Sequence, residues 1–208
     1  MKRTLILIVF GVLLLACRRN ELTFTFKGTV TDLTFQSPAQ NTNVKLFKFA
    51  AGSAIGIIAD ETQTDANGNY TIKVNRNPTE KFVLEFSSNN YFVENITIPF
   101  SDLKPNEDNV FDIGIHAISW LKFVFKNQNN PSPSDELKIL KQGGTSGCPD
   151  CCNYNFSFFN GIVDTTYTCV SRAKDSVTIF HWVNGNEQFS EQEFVLQPFD
   201  TLLYELVY

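Results

Sequence analysis

An all-β chain of two consecutive β-sandwiches is the fold class that this sequence predicts, behind an apolar N-terminal segment that stands outside the fold. Three observations predict it. Apolar and polar residues alternate with a period of two over short runs, which sends successive side chains to opposite faces of a strand. Gly, Asn, Asp, Pro and Ser separate the runs, as turn residues do. Hydrophobic residues make up 43% of the chain and include 20 Phe, enough for a large core, while no stretch keeps a helical period. Lys and Arg number 17 against 22 Asp and Glu, a net charge of −5. That balance opposes a phosphate-binding surface, so nucleic acid is not an expected partner.

Residues 1–16 form the first element. Met1-Lys2-Arg3 is a basic start, and Leu5 to Ala16 carries no charge. A helix of that length rises about 18 Å, short of the roughly 30 Å hydrocarbon core, which fits a secretory signal peptide better than a membrane span. The segment ends in Leu14-Leu15-Ala16-Cys17, which resembles a bacterial lipobox. The resemblance implies diacylation of Cys17 with cleavage before it and acylation of the new amino terminus. Residues 17–21 become a lipidated tether, and the membrane becomes a partner through acylated Cys17. One acyl chain gives only marginal binding, and two or more anchor stably. Losing Lys2 and Arg3 takes the charge from −5 to −7. Arg18, rather than Asp, follows Cys17, so the expected location is the cell envelope at the outer membrane.

The first sandwich is expected over residues 22–116. Leu22, Phe24, Phe26, Gly28 and Val30 alternate with Thr23, Thr25, Lys27, Thr29 and Thr31, and Tyr70, Ile72 and Val74 alternate with polar neighbours. Phe82, Leu84 and Phe86 do the same. Further strands are expected near Val44–Phe49, Ile55–Thr62, Tyr91–Ile98 and Val110–His116. The motifs Gly28-x-Val30-x-Asp32, Asn43-Val44-Lys45-Leu46, Thr64-Asp65-Ala66-Asn67-Gly68-Asn69-Tyr70 and Asn90-Tyr91 resemble the carboxypeptidase regulatory-like domain, a transthyretin-related sandwich. Asn41 to Asn43 and Asn90 stand where that pattern has Gly-Ala and Gly. The turn at Asp65 is explained by a carboxylate cap and a Gly at positive φ. Asp65, Asn67 and Asn69 are spaced like calcium ligands, but Gly68 and Arg76 fall where an EF-hand loop needs other residues.

The second sandwich is expected over residues 117–208, immunoglobulin- or transthyretin-like, with a Cys-rich loop. Its strands are Ile118–Lys126, Leu137–Leu140, Tyr154–Phe159, Asp164–Val170, Ser176–Val183, Gln188–Leu196 and Leu202–Tyr208. Asn160-Gly161 and Asn184-Gly185 read as hairpin turns. Lipidation of Cys17 leaves Cys148, Cys151, Cys152 and Cys169. In an oxidising compartment an even set favours disulfides, with three pairings open and Cys152 or Cys151 to Cys169 preferred. A Cys₄ zinc site and a thiol redox pair are the competing readings.

No catalytic signature appears. There is no His-Glu-x-x-His, Gly-x-Ser-x-Gly, P-loop or dinucleotide fingerprint. His116 and His181 lie on strands among apolar neighbours and read as packed residues. Trp120 and Trp182 read as core or cross-strand packing rather than sugar platforms. Asp164-Thr165-Thr166, Asp175-Ser176-Val177 and Asp200-Thr201-Leu202 match a three-residue envelope O-glycosylation motif. The chain is therefore expected to be no enzyme and to need no cofactor or metal. The expected role is a lipid-anchored envelope protein that binds or scaffolds another envelope component. A glycan- or nutrient-capture lipoprotein is the alternative, and a thiol redox protein the third reading.

Overall fold

A computed structural model describes residues 22–185 and 190–208. The signal peptide and the whole expected tether, residues 17–21 with Cys17, lie outside these residues. The described residues are all-β apart from one 3-10 turn at Phe100–Asp102, and their strands form four sheets that face each other in two pairs around two hydrophobic cores.

In the first half, β1 (Thr23–Asp32) is the centre of a five-stranded sheet. Its residues alternate between buried and half-buried along the whole strand, as the period of two requires. β2 (Ser37–Pro38) returns beside its end, and β5 (Asn69–Asn75) runs antiparallel with Phe26 opposite Ile72 and Gly28 opposite Tyr70. The facing sheet is β4-β3-β6-β7, built from β3 (Asn43–Phe49), β4 (Ile57–Gln63), β6 (Lys81–Ser87) and β7 (Glu94–Pro99). Between them sit Phe24, Phe26, Leu46, Ile72, Leu84 and Phe86, each almost fully buried.

The strand expected over Val110–His116 is broken. β8 (Asp108–Val110) and β9 (Ile113–Ile115) both run parallel to β1, with a gap at Phe111-Asp112. Gly28 is the reason. A Cβ there would lie 2.0 Å from the Phe111 carbonyl oxygen, so the chain crosses β1 at the one residue without a side chain. Tyr70 Oη donates to that same carbonyl at 2.8 Å, and Asp112 accepts from the Thr29 amide at 2.7 Å.

In the second half, β10 (Ile118–Lys126) lies between β13 (Asp164–Arg172), antiparallel, and β16 (Thr201–Val207), parallel. The facing sheet is β12-β11-β14-β15, from β11 (Glu136–Gly143), β12 (Ser157–Asn160), β14 (Ser176–Val183) and β15 (Ser190–Val195). Phe123, Phe125, Tyr167 and Tyr204 form its aromatic core, with Phe123 and Tyr167 stacked at 4.8 Å. Asn184 and Gly185 follow β14 with positive φ, but β15, which pairs with β14, begins only at Ser190, so the connection is longer than the two-residue turn expected. Asn160-Gly161 does not close a hairpin. β12 pairs with β11 and β13 with β10, so this turn carries the chain from one sheet to the other.

The two halves touch through a small junction. Thr34 Oγ1 accepts from the Ala117 amide at 2.9 Å, and the Ile118 amide donates to the Asn90 carbonyl at 2.8 Å. Lys174 Nζ donates to the Thr34 carbonyl. The Phe199 ring packs 5.8 Å from Phe35 and 5.4 Å from Tyr91.

Candidate aromatic binding face

Strand parity builds the candidate site. On β11, Leu137, Ile139 and Lys141 point inward and are buried, so Lys138 and Leu140 take the outer face. On β14, Val177, Ile179 and His181 are buried, which leaves Phe180 and Trp182 outward. Register then sets Phe158 of β12, Lys138 of β11 and Trp182 of β14 in one row across the sheet. Phe156 joins them, 6.2 Å from Phe158 and 5.8 Å from Trp182 between ring centroids. The Phe180 and Trp182 rings run nearly parallel, 19° apart.

Lys138 stands among these rings, with Nζ 4.0 Å from the Phe156 centroid, 4.7 Å from Trp182 and 6.0 Å from Phe158. The negative ring faces attract the ammonium and hold it on the surface. Phe158 is 57% exposed and Phe156 44%. Glu191 and Glu193 of β15 pair with Phe180 and Thr178, so carboxylates flank the rings. The face offers flat aromatic surface, one fixed donor and nearby acceptors. Trp182, read from the sequence as core or cross-strand packing, instead lies on the outer face of the sheet, beside Phe156, Phe180 and Lys138. Phe156, Phe158 and Lys138 were not singled out in the sequence, since their meeting depends on the register of three strands.

The other sequence-level candidates lie elsewhere. The four cysteines form two disulfides, Cys148–Cys151 within the loop and Cys152–Cys169 from loop to β13. Each sulfur is thereby used, and the loop is further held by the Val170 amide donating to the Asp150 carbonyl at 2.9 Å. Trp120 is half-buried, on the face of β10 away from the buried Leu121, Phe123 and Phe125. His181 is buried with Nδ1 2.6 Å from Tyr204 Oη, and burial lowers its pKa. His116 is also held below the usual histidine range, by burial first and then by Arg172. At the Asp65 turn the carboxylate accepts from the amides of Asn67 and Asn69, both at 2.8 Å. Those bonds hold its pKa low, the Asn69 amide foremost. Gly68 has φ +77°. The turn is thus satisfied by the chain's own donors. Among the described residues, no group of three or more His, Cys, Asp or Glu is placed to hold a metal ion.

No helix among the described residues is long and apolar enough to cross a membrane. No protein-family model matches the chain, and no curated protein does. Among solved structures it is similar to the Bacillus anthracis TIE protein, at 12% identity and a TM-score of 0.38, covering 89% of this chain and 34% of that one. It is similar to the shaft pilin SpaA from Lactobacillus rhamnosus GG at 9% identity and a TM-score of 0.35, covering 90% and 97%. Catechol 1,2-dioxygenase from Acinetobacter sp. ADP1 also matches, at 13% identity and a TM-score of 0.35, covering 49% and 55%. The chain therefore spans about a third of the TIE protein and just over half of the dioxygenase. The sequence-based exclusion of an enzyme is withdrawn: dioxygenases are among the matched structures, at TM-scores that assign no activity to this chain. The physical reason is that missing short motifs describe only the chemistries those motifs serve, whereas one architecture hosts many functions.

Proposed function

We propose that this chain is a lipid-anchored cell-envelope protein that captures a glycan on the aromatic face of β11, β12 and β14. Acylated Cys17 is the anchor, cleaved from a signal peptide over residues 1–16 and sited at the outer membrane. Residues 22–116 are a carboxypeptidase regulatory-like module, and residues 117–208 a second module that presents the binding face.

The observation that carries the glycan reading is the cluster of Phe156, Phe158 and Trp182 around Lys138 on a solvent-facing sheet surface. Negative ring faces complement the weakly positive C–H faces of a pyranose, and Lys138 supplies a donor for its hydroxyls. Affinity electrophoresis in gels containing envelope or plant polysaccharides tests it. Wild type is expected to be retarded by at least one polysaccharide. Trp182→Ala and Phe158→Ala should weaken binding at least about tenfold, the equivalent of 1.4 kcal/mol. Equal retardation of both variants and wild type would overturn it. Membrane fractionation tests the anchor: Cys17→Ser should move the protein to the soluble fraction, and its retention in membranes would refute lipidation.

A protein partner is the second reading, favoured by one observation. Ile55, Ile57 and Ile58 are 78%, 63% and 50% exposed at and before β4, an edge strand with unpaired backbone groups. Co-purification with an envelope protein that Ile57→Lys abolishes would support it; no recovery above background counts against it.

A further inference from the structure

We propose that the cavity between β11, β13 and the Cys-rich loop binds a short aliphatic carboxylate on the ammonium of Lys141. The site lies on the face of β11 opposite the aromatic row and does not depend on the glycan reading.

Lys141 is only 3% exposed, yet it lines this cavity of about 160 Å³. An ammonium has three donors, and a buried one needs them paired. Nζ donates to the Thr145 carbonyl at 3.3 Å and stands 4.7 Å from the Tyr154 ring centroid. Among the described residues no carboxylate forms an ion pair with it. Asp175, the acid that acts on it through space, accepts instead from Thr145 Oγ1 at 3.4 Å. The buried ammonium thus has one hydrogen bond, one aromatic face and no ion pair among the described residues, and its side chain lines the cavity.

The walls define the ligand. A single point charge suits a monoanion, because a phosphate dianion is normally met by several cations or a bidentate guanidinium. Phe123, Ile139, Tyr167 and the Cys152–Cys169 disulfide give apolar walls, which fit a short alkyl tail. Asn153 and Asn155 add polar lining for the second carboxylate oxygen. With a water occupying about 30 Å³ of liquid, the volume suits an acid of roughly five or six heavy atoms.

The groups facing Lys141 also predict a pH dependence. Burial pulls its pKa down to about 8, with Asp175 pulling the other way. Tyr167 faces the cavity from β13 with its pKa pushed up to about 12 by burial, so it stays neutral. Tyr154 faces Nζ from the loop, and Lys138 lies on the other side of the sheet. Lys141 is therefore the group that changes charge across the slightly alkaline range.

NMR titration of the detergent-solubilised full chain with butyrate tests the site, read at the Ile139 methyls, with neutral butyramide as isostere. Wild type should show saturable shifts with butyrate at pH 6.5 and none with butyramide. Affinity should fall about 30-fold at pH 9.5, following the protonated fraction of an amine of pKa near 8. Lys141→Met should lose the response with its melting curve preserved, and Lys122→Met on the exposed face of β10 should keep it. No saturable response of wild type at pH 6.5 overturns the proposal. So does equal binding of butyramide, equal affinity at both pH values, or full binding by folded Lys141→Met. If Lys141→Met does not fold, the wild-type pH and isostere comparisons decide alone.

Discussion

Asn90 sits at φ +63°, and its carbonyl accepts from Ile118 where the two halves meet. The left-handed region is open to Gly and, among other residues, best tolerated by Asn. Asn90 thus occupies a backbone conformation in which Gly is at home, and Asn41 at φ +58° behaves alike. Asn90→Gly should leave the urea midpoint nearly unchanged, while Asn90→Val should cost about 1–2 kcal/mol. The two motif residues Asp32 and Tyr91 also meet. Asp32 Oδ1 accepts from the Thr34 amide at 2.8 Å, and Oδ2 accepts from the Tyr91 hydroxyl. The histidines add a pH response. Both are depressed below 6.5, so as pH falls past that value the unfolded chain takes up protons before the folded one does. Stability is therefore fully present above pH 6.5 and lost on acidification. The urea midpoint should fall between pH 7.5 and 5.5, and His181→Gln should flatten the slope.

The Cys152–Cys169 bridge ties an irregular loop to β13 across a sequence separation of 17. Closing a loop of that size contributes about 3 kcal/mol by restricting the unfolded chain. Replacing both cysteines by Ser should lower the unfolding free energy by about that amount. The Cys148–Cys151 bridge closes a far smaller loop, so its double Ser variant should cost clearly less. Both comparisons need only denaturant curves. Strand limits shift for local reasons. β12 begins at Ser157 rather than Tyr154, because Tyr154 lies over Lys141 and bonds the Gly144 carbonyl instead of joining the ladder. β11 extends to Gly143, beyond the expected Leu140, pairing with Val177 of β14.

Across the molecule, two cores communicate through few groups. Phe199, at φ +62°, reaches from the second half onto Phe35 and Tyr91 of the first, beside the Lys174–Thr34 bond. Aromatic contacts of this kind contribute about 0.5–1.5 kcal/mol each beyond buried area. Phe199→Ala should weaken the coupling, so that calorimetry shows two separated transitions in place of one. A single sharp transition in the variant would mean that the cores are joined by more than this junction.

The alternation along β1, β5, β6 and β16 could be read directly, because side-chain parity on a strand is a local property and a buried face must be apolar. The all-β class, the Asp65 turn and the availability of four cysteines for pairing followed from residues close in sequence. Partner choice did not. Asn160-Gly161 has hairpin chemistry, yet its strands belong to different sheets, because facing sheets compete for the same strands and packing chooses between them. The aromatic row was hidden for the same reason, since Phe158, Lys138 and Trp182 are neighbours only in the register of β12, β11 and β14. Lys141 falls just past the expected end of its strand, and only the longer β11 with β13 and the disulfide-held loop over it makes it a buried residue. Local chemistry specifies strands and turns, whereas sites that draw residues from several strands exist only once the sheets have packed.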